Sequence, residues 1–262
     1  LNYKSSKTKA DELIILGNGP SLNDTLIKGE NFFPGKSFMV VNGFATSDIY
    51  EKMKPEYYIM ADPQFWNDNN PVASANKICN DVRSAIISKT TWPLYFFLPY
   101  EAKKSGNIIK QFKTNKNIKI IWYNKTTVTG LTGLSKLLFR LRLGIPRPQN
   151  VLIPALIVTI NMGFKKIYIA GTDHSWHEDL VVDNNNNVCY RKTHFYNNGT
   201  SELIIIKDIF TGKPIKLYQQ FESLAITFRN YHIIEDYAAT RNINICNISE
   251  KSYIDAFKRI EI

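Results

Sequence analysis

The chain has 262 residues, of which 44% are hydrophobic and 21% charged, the make-up of a globular protein with enough apolar material for a full core. Its 33 Lys and Arg against 23 Asp and Glu leave a net charge of +10, which favours anionic partners; the basic residues are scattered and none of the common DNA- or RNA-binding signatures occurs, so nucleic acid is not an expected partner. No run approaches the roughly 18–20 apolar residues of a membrane span, and Cys79, Cys189 and Cys246 stand too far apart for a disulfide framework or a cysteine metal site.

Residues 1–12 are polar and basic, without the apolar centre of a secretory leader, and read as a mobile lead-in to a cytoplasmic protein. Leu13-Ile14-Ile15-Leu16 then runs into Gly17-Asn18-Gly19-Pro20-Ser21, and a helix-compatible segment follows from Leu22. That is a buried strand ending in a tight loop, whose glycines let backbone approach a ligand and whose following helix start favours phosphate. Phe38–Val41 is a second apolar run, ending at Asn42-Gly43. A helix is expected over 45–54, with Thr46 or Ser47 as its N-cap and Pro55 as its stop. Tyr57–Met60 is a third run, ending at Ala61-Asp62-Pro63. Three runs that each end in a polar residue, Asn18, Asn42 and Asp62, predict one crevice at the carboxyl edge of a parallel sheet. Taken singly, each is also an ordinary turn residue.

Further along, a helix begins near Ala73, Ile86–Ile87 reads as a short strand, and Leu94–Leu98 and Ile118–Tyr123 as fuller ones. Residues 101–117 and 134–142 are basic and helix-compatible. Pro154–Met162 reads as a buried helix closed by Gly163, followed by a strand over 165–170 that ends at Gly171-Thr172-Asp173-His174. Residues 175–201 are polar and irregular, with Asn184 to Asn187 in series, and read as a lid or a small hairpin excursion. A hairpin about Thr211–Pro214, a long helix over 221–240, a strand over 243–248 and a basic terminal helix over 252–259, able to graze an anionic membrane, complete the chain. The whole predicts an α/β, Rossmann-like, mostly parallel sheet flanked by helices, a single domain over 1–262 with a lid-like insertion near 175–201.

Asp173-His174-Ser175-Trp176-His177-Glu178-Asp179 is dense in titratable groups, and His194 follows within the same segment. Such a cluster suits a metal site, general acid/base work, or a polar loop that only makes hydrogen bonds. No HExxH, GxSxG or Walker motif is present, and the first turn breaks off after two glycines. His194 lies in Tyr190-Arg191-Lys192-Thr193-His194-Phe195-Tyr196, where cations interleave with aromatics as for an anionic, ring-containing ligand. His232, in an apolar helical pattern, reads as structural.

Ile15–Leu22 resembles the opening of the bacterial sialyltransferases of glycosyltransferase family 42, as does Gly163–Asp173 their "GYKxIYLxGxD" segment. The resemblance covers roughly 13–66 and 154–175. It implies a transferase that moves sialic acid or a related ulosonic acid from a CMP-activated donor to a glycan or lipid-linked acceptor in bacterial surface polysaccharide (lipopolysaccharide or capsule) synthesis. On that resemblance Gly17, Asn18, Gly19, Pro20, Ser21, Asn42 and Asp62 hold the nucleotide, and Asp173 and His174 face the donor sugar or phosphate; Ser175 and Trp176 beside them, and Arg191 and Tyr196 of the cation–aromatic segment, are the expected substrate contacts. His194 is the expected general base and no metal or other cofactor is expected. The chain departs from the family at Asp62, where the family has Asn, and at Ser175-Trp176, where it has tyrosines. Asp62, within Lys54–Pro63, instead fits the motility-accessory-factor glycosyltransferases, which are related to a pterin pyrophosphokinase group. Under that alternative, pyrophosphate transfer to a pterin-like acceptor would use Mg²⁺ on Asp62 and Asp173.

Overall fold

The computed structural model describes residue 3 and residues 10–67, 73–193, 201–208 and 211–262. In chain order they form β1 (Glu12–Leu16), α1 (Leu22–Lys28), β2 (Ser37–Val41), α2 (Tyr50–Met53), β3 (Tyr57–Ile59), α3 (Ala73–Lys89), β4 (Leu94–Pro99), α4 (Gly106–Phe112) and β5 (Ile118–Tyr123). There follow α5 (Thr132–Arg140), α6 (Leu152–Met162), β6 (Lys166–Ala170), β7 (Leu180–Val182), β8 (Val188–Thr193), β9 (Ser201–Ile205), α7 (Leu217–Ala239), β10 (Asn244–Asn247) and β11 (Lys258–Arg259).

Eight strands make one parallel sheet in the order β11-β10-β6-β1-β2-β3-β4-β5. Successive strands step outward from β1 as far as β5, and the chain then returns to lay β6 on the other side of β1. The direction of winding therefore reverses between β1 and β6, and crevices outside such a reversal are where open α/β sheets bind ligands. β1 is buried on both faces, as an interior parallel strand must be. Leu13 and Ile15 join the core beneath α6 and α7, while Ile14 and Leu16 join the one beneath α1, α3 and α4.

α6 is buried all round, which its unbroken apolar sequence requires. Pro154 sits in its first turn, where a missing N–H costs nothing, and Gly163 at φ 93° ends it in the left-handed conformation. Register places Leu16 opposite Ala170, so the turns after β1 and β6 leave the sheet side by side.

Several expectations are corrected. Ile86–Ile87 is not a strand but part of α3, in which Cys79, Val82 and Ile86 form a buried stripe at helical spacing. The helix expected over 45–54 is split: Asn42–Thr46 is a 3-10 turn, closed by Thr46 and Ser47 hydroxyls donating to Gly43 and Phe44 carbonyls, before the short α2. Over 175–193, by contrast, the chain takes the hairpin form of the two expected, with the Asn run in the β7–β8 turn, where the Asp183 carboxylate accepts from the Asn185 and Asn187 N–H groups at 2.9 and 2.7 Å. Residues 252–259 are not helical; Ile254 and Phe257 are buried, and Lys258–Arg259 pair with Cys246–Asn247 as a short strand. Of residues 1–9 the described one, Tyr3, is buried edge-on to Phe97 with Arg142 over its ring. No helix among the described residues is long and apolar enough to cross a membrane.

Candidate functional site

The turns after β1 and β6 are locked together. Gly17 and Gly19 donate their N–H groups to the Ala170 and Gly171 carbonyls, both at 2.8 Å. The Asp173 carboxylate accepts the Ser21 N–H at 3.0 Å and the Ser21 hydroxyl at 2.7 Å. A Cβ on Gly17 would lie 2.4 Å from Gly171 O, and one on Gly19 2.1 Å from Asp173 Oδ1. The contact between the two turns thus requires glycine at both positions. Asp173 and Ser21 are buried and hold the turns to each other, which makes them positioning residues.

Beside this clamp lies a cleft of about 450 Å³. Gly17 to Pro20, Asn42, Asp62 and Gly171 to Trp176 line it, so the sequence-predicted residues after four strands do converge. Asn18 donates to Val41 O at 3.2 Å and Asn42 to Asp62 Oδ2 at 2.9 Å, tying the ends of β1, β2 and β3 into one wall. Asn42 itself has φ 45° and accepts from the Tyr58 hydroxyl. Its Oδ1 is buried with no hydrogen-bond partner among the described residues. Burial holds the Asp62 carboxyl above its ordinary range, against the pull of Lys125 and the Asn42 amide. Lys125 reaches this wall by donating to Ala61 O at 2.9 Å.

The opposite wall comes from residues whose role the sequence reading missed. Gln149, Asn150, Val151 and Leu152 bring the start of α6 to the cleft. Asn150 Oδ1 accepts the Leu152 N–H at 3.0 Å, and Asn150 Nδ2 donates to the Tyr231 hydroxyl at 2.9 Å. Tyr231 in turn bonds His174 Nε2. Because Asn150 supplies a proton to the Tyr231 oxygen, the Tyr231 proton points to His174, whose Nε2 is then the acceptor and whose Nδ1 carries the hydrogen. Burial pushes the His174 imidazole down to about 3, so it is neutral near pH 7. Its ring lies 4.3 Å from Trp176. An asparagine just before an apolar helix was the available signal for Asn150; Tyr231, deep in α7, gave none.

The described remainder of the predicted residues is not part of this lining. His194 and Tyr196 lie outside the described residues. Arg191 is on β8, exposed and opposite Leu203, and is not among the described residues that line the cleft. His177 packs on Tyr253 and His232 is at the surface, 3.2 Å from Asp255. Among the described residues no three His, Cys, Asp or Glu side chains are grouped to hold a metal ion.

The fold is similar to that of the MAf glycosyltransferase from Magnetospirillum magneticum AMB-1, with a TM-score of 0.52 over 99% of this chain and 37% of that one. The likeness is one of fold. Sequence identity is 11%, and this chain spans little more than a third of that protein's length. No protein-family model matches the sequence, and no curated protein matches it. The neighbour bears the name of the second of the two families that the motifs resemble.

Proposed function

We propose that the chain is a glycosyltransferase that holds a nucleotide-activated sugar in the switch-point cleft. The observation that carries this reading is the convergence there of Asn18, Asn42, Asp62, Asn150, His174 and Trp176, at the reversal point where such sheets take nucleotides. The orphaned Asn42 oxygen is the kind of buried polar atom that a ligand or its water completes. The nucleotide lies across the ends of β1–β3, and the sugar lies against Asn150, His174 and Trp176. The described lining holds no Lys or Arg, and its neutral amides stand beside Asp62, Asp173 and Asp179, which suits a single phosphodiester charge better than a diphosphate. A CMP-linked sialic acid or related ulosonic acid is therefore the favoured donor, and a glycan of surface polysaccharide the favoured acceptor. The structural neighbour, a MAf glycosyltransferase, supports the transferase class at the level of fold.

In the transfer, the acceptor hydroxyl oxygen bonds to the anomeric carbon as the bond from that carbon to the phosphate oxygen breaks. The hydroxyl proton passes to a base, for which His194 is proposed, and the nucleotide monophosphate departs with the bonding pair. Neutral His174 orients donor oxygens through its Nδ1–H. Mg²⁺ on Asp62 and Asp173 is not favoured, since Ser21 and Asn42 already engage both carboxylates.

Chromatography of nucleotide released from CMP-linked and UDP-linked donors tests this. CMP release is expected, with His194→Ala lowering the rate by ~10²–10⁴ and leaving the melting temperature unchanged. Turnover of UDP-linked donors alone would overturn the donor assignment; an unaltered rate in the variant would remove His194 from the base role.

A further inference from the structure

The positive charge is not evenly placed. Residues 82–172 contain fifteen Lys and Arg and one acid, Glu101, whereas the rest of the chain carries more acids than bases. That one acid is already paired with Lys125 at 2.5 Å. Within this basic stretch, α5 buries Ser135 and Phe139. Its other side exposes Leu131 (78%), Leu134 (52%), Leu137 (49%) and Leu141 (55%), with Leu143 (53%) just beyond. Steps of three and four residues put Leu134, Leu137 and Leu141 on one stripe, with Leu131 at the helix start and Lys136 and Arg140 along its flank. Beside that flank, between α5 and α7, a notch of about 370 Å³ is lined by Lys136, Arg147 and Arg229, with Asp236 as its one carboxylate.

We infer that this face of α5 docks on an anionic lipid bilayer. Leucines in a stripe cover an acyl boundary while flanking cations meet phosphate headgroups, the division of labour of helices that lie in a membrane interface. A contiguous apolar patch of this kind is what monomeric proteins avoid unless it binds something. Charge decides the partner: a face drawn from a segment with fifteen cations and one paired acid suits an anionic surface, and exposed leucines suit lipid rather than the groove of a nucleic acid. The terminal segment 251–259 is the poorer candidate. Lys251 is held by Glu178 at 2.7 Å, and the Arg259 guanidinium by the Ser249 and Glu250 carbonyls. The inference is independent of the transferase reading, since an inert protein with this face would bind the same surface.

Sedimentation of the full chain with phosphatidylcholine vesicles, and with vesicles in which a third of the lipid is phosphatidylglycerol, tests it. Binding is expected to the anionic vesicles only and to weaken with salt. The triple variant Leu134→Ser/Leu137→Ser/Leu141→Ser and the double variant Lys136→Gln/Arg140→Gln should each lower it at least about tenfold, with melting temperatures unchanged. Equal binding to both vesicle types, no binding, or wild-type binding by the serine variant would overturn it. So would a serine variant that altered only self-association, which would make the face a contact between copies, or binding to duplex nucleic acid in place of vesicles. If the triple variant does not fold, Leu134→Trp serves instead: its emission should shift to the blue with anionic vesicles, and an unshifted spectrum would equally overturn the inference.

Discussion

Gly19→Ala is expected to lower stability by about 3 kcal/mol and to abolish nucleotide binding. The added methyl would sit 2.1 Å from Asp173 Oδ1 and 2.6 Å from Gly171 O. The carbonyl belongs to a turn fixed by the sheet, so the carboxylate must swing away and release the Ser21 N–H and hydroxyl. Overpacking costs about 1–3 kcal/mol, and a buried donor left unsatisfied about 1–3 kcal/mol more. For a chain of this size the melting temperature should fall by roughly 10 °C. Gly106→Ala is the control, since a Cβ there meets nothing within 4 Å. Differential scanning calorimetry of both variants decides the matter: a Gly19→Ala melting temperature matching that of Gly106→Ala would contradict the clamp.

The second large effect is a loss of stability in mild acid that originates at one residue. His174 titrates near 6.5 when unfolded and is pushed down to about 3 by burial in the folded chain. Between these values the unfolded state binds the extra proton, so stability falls as pH is lowered through 6.5 and goes on falling toward 3. From pH 7 to pH 5 the loss is about 2 kcal/mol. Asp62 works in the opposite sense, because a carboxyl raised by burial resists ionisation and so favours the folded state in acid. The difference between the wild type and His174→Gln, taken from urea unfolding at several pH values, isolates the histidine. It should grow steadily in favour of the variant as pH falls; parallel curves would mean that the imidazole is not buried neutral.

How much of this was legible depended on range along the chain. β1, β2, β3 and β6 announced themselves because each is a short apolar run ending in a polar turn, and those polar ends met in the cleft as the parallel-sheet geometry requires. The order of the strands was not legible, for nothing local says that β6 returns to the far side of β1. Ile254 and Phe257 have helical spacing yet lie outside any helix, because tertiary contacts with β10 and Thr172 outweigh local pattern. The segment of the asparagine run was legible as a lid or a hairpin excursion, and a single aspartate, Asp183, organises the run into the hairpin's turn. At the site, the glycines were recognised, but one reason for them was not legible: their missing Cβ atoms make room for Gly171 and Asp173. Asn150 and Tyr231 were missed because their roles arise from a chain of hydrogen bonds joining residues 81 positions apart.

The central claim, that the cleft at the β1–β6 reversal takes the nucleotide of a sugar donor, is tested most directly by thermal shift with CMP, UDP, GDP and ATP, each with and without Mg²⁺. At one hundred times its dissociation constant a ligand adds about 2.7 kcal/mol, enough to raise the melting temperature by several degrees. CMP should give the largest rise, indifferent to Mg²⁺ and lost in Asn42→Ala. No rise with any of the four nucleotides would contradict the claim.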